Sequence, residues 1–270
     1  NYCLIFGKGG FPAAGIAGAA IASSVSEAVS LLFFIIYTSM TADKRKYGFR
    51  RAFTLRPHLL KGMLSISGWT MVQSFISVSI WFIFFLAIEH LGERPLAVTN
   101  IVRNISALLI MVISAFATTA GALISNQIGA GEQRCLFKTC GMTLKLTYAI
   151  LIPLLIILCL FPESVLRAFT DSPSLIAASV NSVYVMASST LIMAPSFILF
   201  NAVSGTGNTR AGFIMEMISL AVYTAVIYYG IIRLKPDVAL CWFSEHVYGV
   251  TLIFLAWWYL KSGKWRGKKV

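Results

Sequence analysis

The chain has 270 residues, 58% of them hydrophobic and only 12% charged, against about 45–50% and about 25% in ordinary soluble domains. That leaves too little polar surface for a soluble domain. The formal net charge of +12 would suggest a nucleic-acid partner in a soluble protein, but in a chain this apolar the placement of Lys and Arg matters more than their sum, and no nucleic acid is expected.

Crossing the hydrocarbon core takes about 20 mostly apolar residues as a helix. Seven segments reach that length: 12–39, 60–88, 96–124, 142–161, 174–203, 212–232 and 238–260. Each is continuously apolar rather than alternating, which selects helices over the strands of an outer-membrane barrel. The expected fold class is an all-α, multi-pass membrane protein with seven transmembrane helices.

The chain opens on Asn1 inside an apolar phrase, NYCLIFG, as a protein lacking its front would. After the first span comes the basic stretch TADKRKYGFRRAFTLRPH (41–58), which separates one predicted helix from six. SEAVSLLFFIIYTSM from Ser26 and SEHVYGVTLIFLAWW from Ser244 form a weak internal repeat, and parallel repeats build several transporter folds. Short turns follow at HLGERP (90–95), FPESVLRAFTDSP (161–173) and RLKPD (233–237). The segment SNQIGAGEQRCLFK (125–138) reads as an amphipathic piece on the membrane surface.

Lys44, Arg45, Lys46, Arg50, Arg51, Arg56 and Lys61 on one side, with Lys261, Lys264, Arg266, Lys268 and Lys269 in the tail, mark the cytoplasmic face. Alternation adds Arg134, Lys138, Lys145 and Arg210, making sixteen basic residues against five (Lys8, Arg94, Arg167, Arg233, Lys235) opposite. The C-terminus is therefore expected in the cytoplasm and the N-terminus outside. The five cysteines are scattered, without CxxC spacing or nearby His, so neither a metal nor a cofactor is expected.

Between the fifth and sixth spans lies GTGNTR, Gly205 to Arg210. A phosphate-binding loop would need a preceding strand and, as a rule, a Lys beside a Ser or Thr. Here an apolar helix precedes it and no lysine is present. It reads as a cytoplasmic turn in which Gly205 and Gly207 take positive φ, Asn208 caps the next helix and Arg210 meets headgroups.

FNAVSGTGNTR closing a helix resembles the C-terminal lobe of the multidrug and toxic compound extrusion (MATE) family. So do SIWFIFFLAIEHLGERPLAVTNIVRNIS leading through AFATTAGALISNQIGAGE, WFSEHVY opening the last span, and GIAGAAIASSVSE at 15–27, which is similar to the family's sixth-helix phrase. The resemblance covers nearly the whole chain. It implies a twelve-helix fold of two six-helix lobes, with residues 1–40 as the last helix of the N-lobe, 41–57 as the inter-lobe linker and 58–270 as the complete C-lobe. The N-lobe of the same polypeptide would then be a missing partner. It also implies a secondary active antiporter that exports drugs or other amphiphilic organic cations in exchange for Na+ or H+, in a bacterial inner membrane. In the family's sodium-binding branch, carboxylates occur midway along the seventh and tenth helices. Here those regions offer Ser77 to Ser79 and Pro195, with no acid, and the family's first-helix Asp has no counterpart in this chain.

Ionisable side chains in mid-membrane cost roughly 2.5–3.5 kcal/mol on insertion scales, so each calls for a partner or a purpose. Glu27, Arg103, Glu216 and Glu245 stand out. Glu245 lies eight residues in from Asp237, and Arg103 eight in from Pro95, so both sit about 12 Å deep and could pair. Glu27, Glu245 and Arg103 are the candidates for cation coupling, with Glu27 alternatively bonded to Ser23, Ser24 or Ser30. Glu216 lies about 9 Å from the cytoplasmic turn and is expected to snorkel to water. Gln73, Ser77, Trp81, Asn181 and Tyr184 are candidates for lining a substrate cavity, whose aromatic faces would suit lipophilic cations. Pro195 and Pro153 are candidate helix kinks.

Other readings have sequence tests. A flippase of lipid-linked saccharides would line its cavity with several basic residues, and only Arg103 is evident. A seven-helix receptor or photoreceptor is suggested only by the helix count, and a retinal Schiff base would need a mid-span lysine, which is absent. An intramembrane enzyme would need paired Asp, Ser–His or clustered His, whereas His58, His90 and His246 all lie near helix ends.

Overall fold

The computed structural model describes residues 2–10, 12–41, 57–263 and 265. The chain divides into two units, Asn1–Lys61 and Gly62–Val270. Residues 42–56, the body of the expected linker with its basic cluster, lie outside the described residues, as do Lys264, Arg266, Lys268 and Lys269 of the basic tail.

In the first unit a short helix α1 (Tyr2–Phe6) folds back on the start of α2 (Gly15–Thr41). Ala14 N donates to the Leu4 carbonyl at 3.0 Å, and buried Gly18 lets that carbonyl approach the helix closely. The remainder of α2 is apolar on every side and exposed within its unit, the pattern of a helix that meets lipid or other helices all round.

Among the described residues, the second unit is built of helices joined by short turns. Its elements are α3 (Pro57–Glu89, shared with the first unit), α4 (Glu93–Gly129), a 3-10 turn (Gln133–Cys135), α5 (Leu136–Leu160), α6 (Pro162–Leu166), α7 (Pro173–Gly205), α8 (Thr209–Val226), α9 (Val238–Cys241) and α10 (Phe243–Ser262). The end of α8 widens into π-helical turns over Ile227–Arg233. Among the described residues, seven helices are long and apolar enough to cross a membrane. They coincide with the seven predicted spans to within a few residues at each end, except that the third and fourth begin or end further out.

Local chemistry sets the boundaries. Pro162 and Pro173 open α6 and α7 at first-turn positions that have no helical use for an N–H. Asn208 caps α8 as expected, its side chain accepting from Ala211 N at 3.3 Å, and Asp237 caps α9 through Val238 N at 2.8 Å. The segment 125–138 is not a separate surface piece. Ile124 and Leu136 are both buried, so α4 runs on to Gly129 and α5 starts at Leu136 with a tight turn between.

The core lies around α4 and α7. On α4 the buried residues Val98, Val102, Ile105, Leu109, Ile113, Ala117, Ala120 and Ile124 recur every three or four positions, while Leu108 and Met111 face outward toward hydrocarbon. Lipid is as apolar as leucine, so helix association here depends on close packing and small interfacial residues. Gly121 and Gly205 supply that contact. A Cβ on Gly121 would lie 2.9 Å from the Asn201 carbonyl oxygen, and one on Gly205 would collide with the Gly121 carbonyl. The expectation that Gly205 adopts positive φ is therefore corrected. It ends α7 in helical conformation and is glycine because another backbone touches it, whereas Gly207 does turn the chain at φ 79°.

Pro195 lies inside an unbroken α7. It cannot donate to the carbonyl of Leu191, four residues earlier. Tyr148 of α5 does so instead, its hydroxyl donating to Leu191 O at 2.7 Å.

Candidate functional site

Two carboxylates from the last two spans line one region of the second unit. Glu216 sits on α8, and Tyr223 lies on the same stripe seven residues further on; Glu245 and Tyr248 are one turn apart on α10. Where the two helices pack, their polar stripes cross. Tyr248 donates its hydroxyl to Glu216 Oε1 at 2.9 Å, and Tyr223 donates to Glu245 Oε1 at 2.8 Å. The two tyrosine rings meet edge to face with centroids 5.8 Å apart. From α3, Ser77 Oγ also donates to Glu216 Oε1, at 2.9 Å.

The expectation that Glu216 snorkels to water is overturned. Its side chain is only 4% exposed, because α3 and α10 close over it and offer two hydroxyls. That geometry satisfies the carboxylate locally and removes any need to reach the headgroups.

Two cavities share this region. One, of about 260 Å³, is bounded by Ser77, Phe197, Glu216, Tyr223, Glu245 and Tyr248. The other, of about 550 Å³, is bounded on its polar side by Arg103, Asn104, Ser189, Thr190 and Glu245, and on its aromatic side by Trp81 and Trp242. Glu245, Trp81, Ile110 and Met193 face both.

Arg103 and Glu245 thus line one cavity, as their equal depth suggested, but among the described residues they form no ion pair. Glu245 is taken by Tyr223, and the Arg103 guanidinium lies over the rings of Phe85 and Trp81, with its carbon 5.2 and 5.7 Å from their centroids. Arg103 Nε and Trp242 Nε1 are buried without an acceptor.

The remaining predicted residues fall elsewhere. Ser77 and Trp81 line the cavities, but Gln73, half-buried one turn before Ser77, does not; Ser77 Oγ donates to its backbone carbonyl, and among the described residues its side chain has no hydrogen-bond partner. Asn181 and Tyr184 occupy the outer face of α7, Tyr184 reaching toward the Cys159 carbonyl at 3.5 Å. The inner face of that helix belongs to Ser182, Met186, Ser189, Thr190 and Met193, out of phase with 181 and 184. Glu27 is exposed within its own unit, and among the described residues it has no bond to Ser23, Ser24 or Ser30; Ser24 donates instead to the Ala20 carbonyl. Arg210 lies over the Trp69 ring at 5.9 Å. Sequence reasoning passed over Tyr223, Tyr248 and Trp242. The spacing Glu216–Tyr223 and Glu245–Tyr248 on helical stripes was a usable signal.

The MatE family model matches residues 70–229. The chain is 25% identical over 287 aligned positions to a probable multidrug resistance protein NorM of Thermotoga maritima, covering all of this chain and 58% of that protein. It is 24% identical to an uncharacterized transporter, YisQ, of Bacillus subtilis, covering 82% of this chain and 48% of the relative. The chain therefore spans about half the length of these relatives. Among solved structures, it superposes on an outward-facing multidrug resistance MATE family transporter of the MOP superfamily with a TM-score of 0.67 at 14% identity, over 76% of this chain and 46% of that one. A MOP superfamily transporter from Pyrococcus furiosus superposes with a TM-score of 0.66 at 14% identity, over 74% of this chain and 44% of that one. With the family match extending over more than half its residues and the fold shared with solved members, this integral membrane chain belongs to the MatE family.

Proposed function

We propose that this chain is the C-lobe side of a secondary active antiporter that exports drugs or other amphiphilic organic cations in exchange for Na+ or H+. The observation that carries this reading is the cavity of about 550 Å³ in which the Glu245 carboxylate faces the aromatic walls of Trp81 and Trp242. A lipophilic cation needs apolar contact area, a π face for its charge and one fixed anion, and such a wall offers all three.

In this reading the N-lobe of the same polypeptide supplies the opposite wall, and substrate binds between the lobes. Cation entry biases the outward- against the inward-facing state. Glu245 and Arg103 lie where coupling charge is needed, and Glu27 is the further candidate from the first unit. The C-terminus lies in the cytoplasm of a bacterial cell, because the basic residues gather on that side. The lining favours this over flipping of lipid-linked saccharides: of the residues bounding the larger cavity only Arg103 is basic, whereas a phosphate-bearing cargo calls for several.

The test is ethidium efflux from proteoliposomes holding the full-length two-lobed protein, under an imposed sodium gradient, an imposed proton gradient or neither. Gradient-driven efflux that Glu245→Gln or Glu27→Gln abolishes, in a protein that still folds, supports the reading. Absence of dye movement under both gradients removes it.

A further inference from the structure

The last two spans carry matching stripes, apolar but for one terminal serine. On α8 the stripe is Ala211, Ile214, Met215 and Ile218, and on α10 it is Leu255, Trp258, Tyr259 and Ser262, spaced three and four residues apart on one face of each helix. α8 leaves the end of the lobe at which α10 arrives, and Asn208 Nδ2 ties the two together there by donating to the Tyr259 hydroxyl at 2.6 Å. Between the stripes runs a groove of about 250 Å³, lined by these eight residues. Met215 is buried at its base, while Ile214, Ile218 and Trp258 are exposed along its sides. The groove therefore opens outward, where hydrocarbon surrounds a membrane-spanning lobe.

Its dimensions select the occupant. Ala211 to Ile218, like Leu255 to Ser262, is about 10 Å of helix. A volume of about 250 Å³ over that length leaves a cross-section of about 25 Å². A further helix, about 10–12 Å across with its side chains, needs roughly 80–110 Å². The groove is too narrow for a helix of a partner protein and has the width of a single hydrocarbon chain.

Charge completes the selection. Arg210 stands next to Ala211 and Lys261 next to Ser262, so both flank the same end of the groove. Both are exposed, the Arg210 guanidinium carbon 5.9 Å from the Trp69 ring centroid and Lys261 Nζ 4.6 Å from that of Trp257. Among the described residues neither is paired with a carboxylate, and no Asp or Glu occurs within 204–215 or 255–263. Trp257, Trp258 and Tyr259 set that end at headgroup level, where such rings gather. Basic pockets between membrane helices at that depth hold anionic head groups. A cationic amphiphile fits the groove but is repelled at its mouth.

We propose that the groove between α8 and α10 is a binding site for one anionic phospholipid, with an acyl chain lying along the two stripes and the phosphate held at the mouth by Arg210 and Lys261. The site is independent of the antiport reading, since neither cavity around Glu245 contributes to it.

Lipid binding is read directly by native mass spectrometry of the full-length protein in detergent, titrated with phosphatidylglycerol or with phosphatidylcholine of the same chains. Phosphatidylglycerol is expected to be retained in preference. Arg210→Gln and Lys261→Gln are each expected to lower its apparent affinity about fivefold, the attraction that one basic residue exerts near an anionic surface. Ile218→Trp, which fills the deep end of the groove, is expected to lower retention of both lipids about threefold or more. Should that variant fail to fold, the two charge variants, both at exposed positions, still decide. Equal retention of the two lipids overturns the proposal, as does a phosphatidylglycerol preference untouched in both charge variants, or lipid retention unchanged in folded Ile218→Trp. Glycerol phosphate, a headgroup without a chain, is expected to leave no adduct; its binding as tightly as the lipid overturns the lipid assignment in favour of a free phosphate. A dimer that Ile218→Trp dissociates, with no lipid retained by the parent protein, overturns it by placing a second copy in the groove.

Discussion

Tyr223 and Tyr248 meet edge to face, with centroids 5.8 Å apart, and each gives its hydroxyl to a different buried carboxylate. Two neighbouring helices thereby share one polar unit inside an apolar lobe. Tyr223→Phe and Tyr248→Phe each strip a donor from a carboxylate, at a cost of about 1–3 kcal/mol. Because the rings touch, the pair is coupled, and the double variant is expected to depart from additivity by about 0.5 kcal/mol or more. Unfolding of the four proteins in detergent measures this; strict additivity would show that the two bonds are independent.

Tyr148 supplies the hydrogen bond to the Leu191 carbonyl that Pro195 cannot. Tyr148→Phe leaves the Leu191 carbonyl without its donor and is expected to destabilise the protein by about 1 kcal/mol. In a Pro195→Ala background a backbone N–H becomes available to the same carbonyl, and the Tyr148→Phe cost is expected to shrink. A Tyr148→Phe penalty that is equal in both backgrounds would mean that its hydroxyl does not serve this bond.

The glycines of the turn separate by mechanism. Gly205→Ala drives a methyl into the Gly121 backbone and is expected to cost about 1–3 kcal/mol or more by forcing α4 and α7 apart. Gly207→Ala must instead hold φ near 79°, at about 1 kcal/mol. Gly207→Asn, which tolerates the left-handed region, should recover most of that loss, whereas no side chain at 205 should be tolerated. Melting temperatures of the three single variants decide it.

Arg103 occupies the π faces of Trp81 and Phe85, the surfaces a lipophilic cation would use. Arg103→Gln frees both rings and removes a like charge from the larger cavity. Cation–π contacts are worth about 0.5–1 kcal/mol at exposed sites and about 2 when desolvated, so ethidium is expected to bind the full-length variant several-fold more tightly, read by fluorescence titration. Weaker binding would instead place Arg103 among the groups that recognise the cargo.

The periodicity and composition of the chain determined its membrane class, its seven helices and most of their limits, because hydrocarbon demands long apolar segments and prolines, glycines and caps act on their immediate neighbours. Family membership was legible in phrases such as FNAVSGTGNTR for the same reason: they are local. The partners of the buried charges were not. Equal depth brought Arg103 and Glu245 to one cavity, but depth says nothing of azimuth, and Glu245 turned to Tyr223 while Arg103 turned to two aromatic rings. Glu216 read as a snorkelling acid when only its distance from the turn was considered. Its burial depends on Ser77, 139 positions earlier, and Tyr248, 32 later. Gly205 likewise looked like a turn residue and proved to be a contact with Gly121. In each case the deciding term is which face of one helix meets which face of another, a quantity set by packing among side chains far apart in the chain and carried only by the tertiary structure.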